Sequence, residues 1–578
     1  MTSETKNCQN CKNDFMIESE DFLFYQKIKV PPPTFCPECR MVRRMNFRNE
    51  RNLYHKRCDL CNKKFVTNYY QETLFKVYCH DCWWGDRWDP LFYAKEYNFS
   101  NPFFEQFYEL FKKVPLIPAD TKGKQLNSEY GNYNGNVKDC YMCFSVIESQ
   151  DSLYCSNSSG LHNCFDSDWL QDSELCSNSL DSYHNNECSY LQQVKEGIHS
   201  KFIFKSSNIN QCFMSSNLIN ASNFFYNKQL SVKEYNSLIN KMDFGSYVVN
   251  EKLKKDFYSM KNSVPHKYAE IRNSLNSKGN NIVNSKNVKK SFDVTSSENV
   301  AYSMRVLKGC KDVYDVHGVA NGELVYESVG CGFSPNTNLF TFSIDVSHNL
   351  TYSMMCKSCS NLFACIGLRN KQYCILNKQY TKEEYEDLVP KIIKHMNDMP
   401  YIDSKGRVYK YGEFFPSELS PFAYNETIAQ EFFPLIKEQA KEQGYEWKDK
   451  EERNYTIDIK TEDIPDNIKD LDDFIINKVI ECQHKDCNHQ CTEAFKIIPE
   501  ELQFYKRMNL PLPRLCPNCR HYERLSKRNP MKLWHRSCMC DKDKHGHVGK
   551  CTEEFETSYA PDRPEIVYCE GCYNKEVY

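Results

Sequence analysis

No run of about 18 apolar residues occurs anywhere in this 578-residue chain, and Met1 is followed by TSETKNCQNCK rather than by an apolar stretch. Neither a membrane-spanning segment nor a standard secretion signal is expected, and the expected compartment is the cytoplasm. Neither sign of charge dominates, because 74 Lys and Arg stand against 77 Asp and Glu, a net charge of -3. That excludes a uniformly basic nucleic-acid coat, so a nucleic-acid surface has to be a local patch. Catalytic signatures are missing too. There is no Gly-rich phosphate loop, no HExxH and no nucleophile triad, and the expectation is a protein that is not an enzyme.

What the chain has in quantity is cysteine, 31 residues. In a reduced compartment thiols serve as metal ligands or as core residues rather than as disulfides. Four short knuckles stand near the N-terminus, Cys8-x2-Cys11, Cys36-x2-Cys39, Cys58-x2-Cys61 and Cys79-x2-Cys82. Each pair offers two sulfurs to one side of a tetrahedral ion, so four knuckles make two closed sites. The C-terminus repeats the plan: CKNDFMIESEDFLFYQKIKVPPPTFCPECR aligns without a gap on CTEAFKIIPEELQFYKRMNLPLPRLCPNCR. The copy departs at Cys487-x3-Cys491 and at a loop, DKDKHGHVGK, before Cys551. The expected C-terminal ligands are Cys487, Cys491, Cys516 and Cys519 for one site and Cys538, Cys551, Cys569 and Cys572 for the other. Cys540, His545 and His547 could substitute, and Cys482 and His484 are spare. All-thiolate sites are closed and structural, which gives about four Zn²⁺ per chain.

The residues Cys8, Cys11, Phe15, Phe24, Tyr25, Pro33, Cys36, Cys39 and Arg40 follow the pattern CxxC, an aromatic-rich stretch, Pro, then CxxCR. The first half of each module thereby resembles the family called probable zinc-ribbon domain. The whole chain is similar to cysteine-rich zinc-ribbon proteins of uncultivated bacteria and their phages. The resemblance implies architecture and no particular activity.

Between the modules, small residues recur every twelve positions: Ser128, Cys140, Ser152, Cys164, Cys176, Cys188, Ser200 and Cys212. The lattice returns more loosely as Val288, Val300, Val313, Leu324, Leu339, Leu350, Leu362 and Cys374, with Tyr302, Tyr314, Tyr326 and Tyr352 as an aromatic ladder. The expected fold is mainly β, a two-part parallel β-solenoid of about 24 residues per coil, flanked by duplicated tandem zinc ribbons with helical linkers and caps. Ser231 with Glu234 and Thr381 with Glu384 read as capping boxes of helices that close each run. The interior cysteines read as packing residues, and Asp139, Asp151, Asp166 and Asp168 as turn formers rather than a glycosidase centre. The resulting layout is a double zinc-ribbon module over 1–90, an aromatic helical linker over 91–126 and a first solenoid with its cap over 127–241. A helical insertion follows over 242–286, then a second solenoid and cap over 287–396, a helical acidic linker over 397–480 and the second double module over 481–578.

A basic run follows each CPxCR knuckle. Spacings of three and four place Arg40, Arg44, Arg48 and Arg51 on one helical face, and Arg520, Arg524 and Arg528 on another. Arg43, Arg44, Arg48, Arg51 and Tyr54, with Arg524, Arg528, Lys532 and Trp534, are the candidate contacts to RNA or DNA, phosphate bonding beside an aromatic platform. Protein partners captured by the solenoid are the alternative, in a scaffold or a virion or fibre component.

Overall fold

The computed structural model describes residues 2–330, 332, 335–450, 455–484 and 487–577. Its centre is a pair of parallel β-solenoids, one running from Lys122 to Phe225 and one from Ile271 to Ile375. The coil is 12 residues long, half the expected length: Cys176 pairs with Cys188, Ser189 with Lys201 and Leu362 with Cys374, each in parallel register.

So short a coil closes because the backbone turns at every third residue. From Tyr133 to Tyr226 every third residue has a positive φ, Gly160 among them. Each coil is therefore four triplets of an outward residue, a left-handed corner and an inward residue. Left-handed backbone is costly for most L-residues and least so for Asn, Asp and Gly. This accounts for Asn136, Asp139, Asp151, Asn163, Asp166 and Asn178 at corners. Corner amides also ladder along the axis, as where Asn287 Nδ2 donates to Asn299 Oδ1 at 3.0 Å and Asn299 Nδ2 to Asp312 Oδ1 at 2.8 Å.

The narrow interior explains its composition. The amide of an inward residue is satisfied by the serine hydroxyl one coil earlier: Cys140 N donates to Ser128 Oγ at 3.0 Å, Cys164 N to Ser152 Oγ at 3.1 Å and Ser179 N to Ser167 Oγ at 3.2 Å. Inward cysteines donate the other way, Cys155 Sγ to Cys164 O and Cys164 Sγ to Ser173 O, both at 3.2 Å. These thiols are buried and unbridged, so they act as small packing residues that also cap carbonyls. Val, Leu and Ile fill most of the remaining inward places, and a few hold Asn, such as Asn185 and Asn338, whose side-chain oxygens accept from the amides of Gly197 and Leu350. In the second solenoid the inward residues are Val325 and Asn338, not their neighbours Leu324 and Leu339. Some pairings there step by 13, as Val300 with Val313 and Val325 with Asn338, which shifts the lattice.

The solenoids lie side by side and run oppositely. Lys122, at the start of the first, bonds Asp345 near the end of the second at 3.0 Å, and Lys205 near the end of the first bonds Glu270 at 2.7 Å. Each ends in a two-residue antiparallel turn-back and a helix, Val232–Ile239 or Lys382–Asp398, with the expected Ser231/Glu234 and Thr381/Glu384 capping boxes in place. Two stretches differ from their expected character. The insertion after residue 242 supplies one helix, Tyr247–Ser263, and then already enters the second solenoid at Ile271. The 397–480 segment has only short helices, such as Ile428–Phe432 and Lys437–Glu442. It otherwise runs as irregular chain that buries Tyr409, Phe414, Phe415 and Tyr424.

Replacing Ser152 by Ala should leave the buried Cys164 amide without an acceptor and cost about 1–3 kcal/mol. Cys164→Ser, which keeps a donor of similar size, should cost clearly less. Urea midpoints of the two variants check this order.

Candidate metal centres

Among the described residues cysteine tetrads form in which the four sulfurs lie within 4.8 Å of one another: Cys8, Cys11, Cys36 and Cys39; Cys58, Cys61, Cys79 and Cys82; Cys482, Cys491, Cys516 and Cys519; Cys538, Cys551, Cys569 and Cys572. Cys11 and Cys36 are 3.8 Å apart, Cys61 and Cys79 3.7 Å, Cys516 and Cys491 3.9 Å. Four thiolates about 2.3 Å from a central ion would be separated by about 3.8 Å. Backbone amides point at the sulfurs, as Cys36 N at Cys8 Sγ (3.2 Å), Cys79 N at Cys58 Sγ (3.3 Å) and Cys569 N at Cys538 Sγ (3.2 Å). Sulfurs that converge without forming disulfides and collect N–H donors suit thiolates held by a metal ion.

One ligand assignment is corrected. The third tetrad takes Cys482 in place of Cys487, because the Ile480–Glu481 strand pairs with Ala494–Phe495 and carries Cys482 to the knuckle, where its sulfur accepts from Cys516 N at 3.2 Å. Cys482 thus occupies the position that Cys8 holds at the other end. Cys487 stands outside the tetrad, its sulfur 3.7 Å from Cys519 Sγ. In the fourth centre Cys540 and His547 are not among the tetrad's four ligands: Cys540 Sγ lies 3.1 Å from His545 Nδ1, and His547 Nε2 3.3 Å from Cys572 Sγ.

The second knuckle of each first site starts a helix, Pro37–Met45 or Pro517–Leu525, with the ligand Cys36 or Cys516 at the N-cap and Pro in the first turn. A thiolate there meets the positive end of the helix dipole. The helix carries Arg40, Arg43 and Arg44, or Arg520 and Arg524, and the chain just past it carries Arg48, Arg51 or Arg528, so the expected single helical face is cut short. All of these arginines run into the solenoid rather than to the surface, against their expected role as nucleic-acid contacts. Arg43 and Arg44 are 1% exposed, and Arg48, Arg51, Arg524 and Arg528 no more than 9%. Arg40 and Arg44 bond the two oxygens of Asp315 at 2.9 and 3.0 Å, and Arg43 bridges Glu327 and Glu413 at 2.8 and 3.0 Å. In the other module Arg520 and Arg524 bond the two oxygens of Asp166 at 2.7 and 2.9 Å, Arg524 adds Asp168 at 2.7 Å, and Arg528 joins Asp181 and Asp293. Arg48 pairs with Glu50, and Arg51 donates to Ser156 Oγ at 2.8 Å with its guanidinium over Phe144. Tyr54 donates to Glu426, Lys532 pairs with Glu38 at 3.0 Å, and Trp534 is half-buried on the Trp534–Ser537 strand.

The two contacts are quasi-equivalent. Phe24 stacks on Tyr314 and Phe504 on Phe165, each at 3.8 Å between centroids. Tyr302 donates to Asp21, and Tyr154 to Glu501. The N-terminal arginine helix therefore grips the second solenoid, and the C-terminal helix the first. No protein-family model matches this chain, and no curated protein does. Among solved structures, a UDP-N-acetylglucosamine acyltransferase from Campylobacter jejuni is similar at 9% identity with a TM-score of 0.09, over 48% of this chain and 97% of that one. A similarity that slight bears on neither fold nor activity.

The residues that sequence reasoning missed are the acidic partners of the arginines. Asp166, Asp181, Asp315 and Glu327 all occupy left-handed corners, where an acidic residue reads as a turn former. Burial alone would raise the Asp168 carboxyl, but Arg524 and His521 hold it well below the ordinary carboxylate range. Burial would likewise raise Glu50, and Arg305 and Arg48 bring it down to about 2.

Truncating Arg524 to Ala should destabilise the protein by about 3–5 kcal/mol, because buried Asp168 loses its guanidinium partner and Asp166 keeps only Arg520. A depressed folded-state pKa contributes stability that is complete above the unfolded value and is lost as pH falls toward the folded one. The cost of Asp168→Asn should therefore be constant above about pH 5 and shrink below about pH 4. Urea midpoints measured across pH check both.

Proposed function

We propose that the protein is a non-catalytic, zinc-braced scaffold of a reducing compartment such as the cytoplasm, whose solenoid faces present a regular surface to protein partners. One observation carries this reading: the arginine helices beside the tetrads spend their guanidinium groups on solenoid carboxylates inside the molecule, leaving those residues no phosphate to bind. Zinc is the ion that best suits closed four-thiolate sites, as the zinc-ribbon resemblance also implies, and its role here is to fold the modules that carry those helices.

What the solenoid leaves outside is a polar, evenly spaced surface. Asn186 donates to Glu174 one coil away at 3.2 Å, His199 faces Glu187 at 3.0 Å and His184 faces Asp172 at 3.7 Å, with the ionisable side chains of the two His pairs about half exposed. Rows repeating once per coil suit a partner that is itself repetitive or extended. A wide cleft of about 1450 Å³ lies between the second N-terminal tetrad and the solenoid, lined by Lys63, Lys122, Lys357 and Arg369 but also Asp81, Glu129 and Asp345. Both signs of charge line it, and they pair with one another, Lys122 with Asp345 at 3.0 Å and Lys63 with Asp81 at 3.1 Å. Among the described residues no helix is long and apolar enough to cross a membrane.

Purified at low salt, the protein should carry at least four zinc ions and no nucleic acid that high salt releases. Cross-linking in the source cells should recover a protein partner that is lost on Glu174→Lys with Glu187→Lys while zinc content is unchanged. Salt-sensitive binding of RNA or DNA that survives Arg44→Ala and Arg524→Ala would contradict the scaffold reading, as steep salt dependence marks phosphate contacts.

A further inference from the structure

The third tetrad has an unused set of ligands beside it. His484, Cys487 and His489 lie with Cys519 so that one ligand atom from each is within 4.8 Å of the others, and Cys519 also belongs to the tetrad of Cys482, Cys491 and Cys516. Cys519 Sγ is 3.7 Å from Cys487 Sγ on one side and 3.9 Å from Cys482 Sγ on the other, both ordinary separations for sulfurs on one tetrahedral ion. We propose that this end of the protein holds two metal ions of the zinc class, bridged by the Cys519 thiolate, the second ion completed by Cys487, His484 and His489.

Three observations support a second ion over a mere reserve of ligands. The Nδ1 atoms of both His484 and His489 are buried and have no hydrogen-bond partner among the described residues, an arrangement that costs free energy unless something takes the lone pair. Outer groups flank the rings: the Glu523 carboxylate stands 3.7 Å from His484 Nε2, on the side where a carboxylate can support a metal-bound imidazole, and His489 stacks on Tyr522 at 5.4 Å. The N-terminal counterpart shows what a lone tetrad looks like. There Cys39, which corresponds to Cys519, receives a hydrogen bond from Asn10 Nδ2 at 3.3 Å where Cys519 faces Cys487.

Charge points the same way. One divalent ion with four thiolates carries about -2, whereas two ions sharing five thiolates and two neutral imidazoles carry about -1, a smaller burden for a half-buried site. Binding of the second ion releases the Cys487 proton to solvent and needs no change in oxidation state. The eight residues between Cys482 and Cys491, against two between Cys8 and Cys11, are then the ligand-bearing loop of an added centre.

The proposal rests on the tetrads holding metal. Total zinc should fall by one ion per chain in the double variant His484→Ala, His489→Ala, and again by one in Cys487→Ser, relative to the unmodified protein. Cadmium-substituted wild-type protein should show two cadmium NMR signals coupled to each other through the shared sulfur, which no set of separate tetrads can give. An unchanged metal count in both variants, or no coupled pair, would overturn the bridged cluster while leaving the four tetrads standing. An unmodified protein without metal would instead remove the zinc reading itself.

Discussion

The structure depends on guanidinium groups buried against carboxylates at the corners of a 12-residue coil. Arg40 and Arg44 share Asp315, and Arg520 and Arg524 share Asp166. Taking such charges out of water is expensive, and the contact repays it only if both sides are held in fixed geometry. On one side the left-handed corner fixes the carboxylate; on the other, a cysteine tetrad fixes the first turn of the arginine helix. Neither a floppy ribbon nor a frayed coil could make the bidentate contact, so ribbon and solenoid stability are linked.

The contacts also cross. Because the N-terminal module grips the second solenoid and the C-terminal module the first, the ends of the chain close over two solenoids that already run oppositely. The Lys532–Glu38 pair joins the modules directly. Quasi-twofold symmetry follows from a duplication visible in both modules and both solenoids, and the places where the halves differ become informative. Arg528 spans both solenoids through Asp181 and Asp293, whereas its counterpart Arg48 turns to Glu50. The loop before Cys491 carries ligands that the loop before Cys11 lacks.

Much of this was legible in the sequence, for identifiable reasons. Knuckle spacing is set by the geometry of a four-coordinate ion, so the tetrads could be read from cysteine positions, and the twelve-residue lattice betrayed the solenoid. The finer period of three escaped because only corners and inward places obey it, and their residues mix: Asn136 and Asp139 mark corners plainly, Met142 and Trp169 do not. Cys482 escaped because its place is fixed by strand pairing rather than by a short knuckle. The arginine stripes were helical only in part, since Pro37–Met45 carries Arg40 and Arg44 but not Arg48 or Arg51, and Pro517–Leu525 carries Arg520 and Arg524 but not Arg528; nor does a stripe say what it faces. The acidic partners stood in the sequence at corners 12 residues apart, Asp315 and Glu327, and only tertiary packing brings them to the arginines.

Hydrogen exchange before and after chelation tests the linkage between metal and solenoid most directly. If the tetrads hold the arginine helices onto the coils, removing the metal should cost protection at solenoid amides over 153–182 and 301–328, distant in sequence from every tetrad cysteine, while the capped ends near residues 225 and 375 keep theirs. Unchanged protection in those coils after complete metal removal would contradict the account.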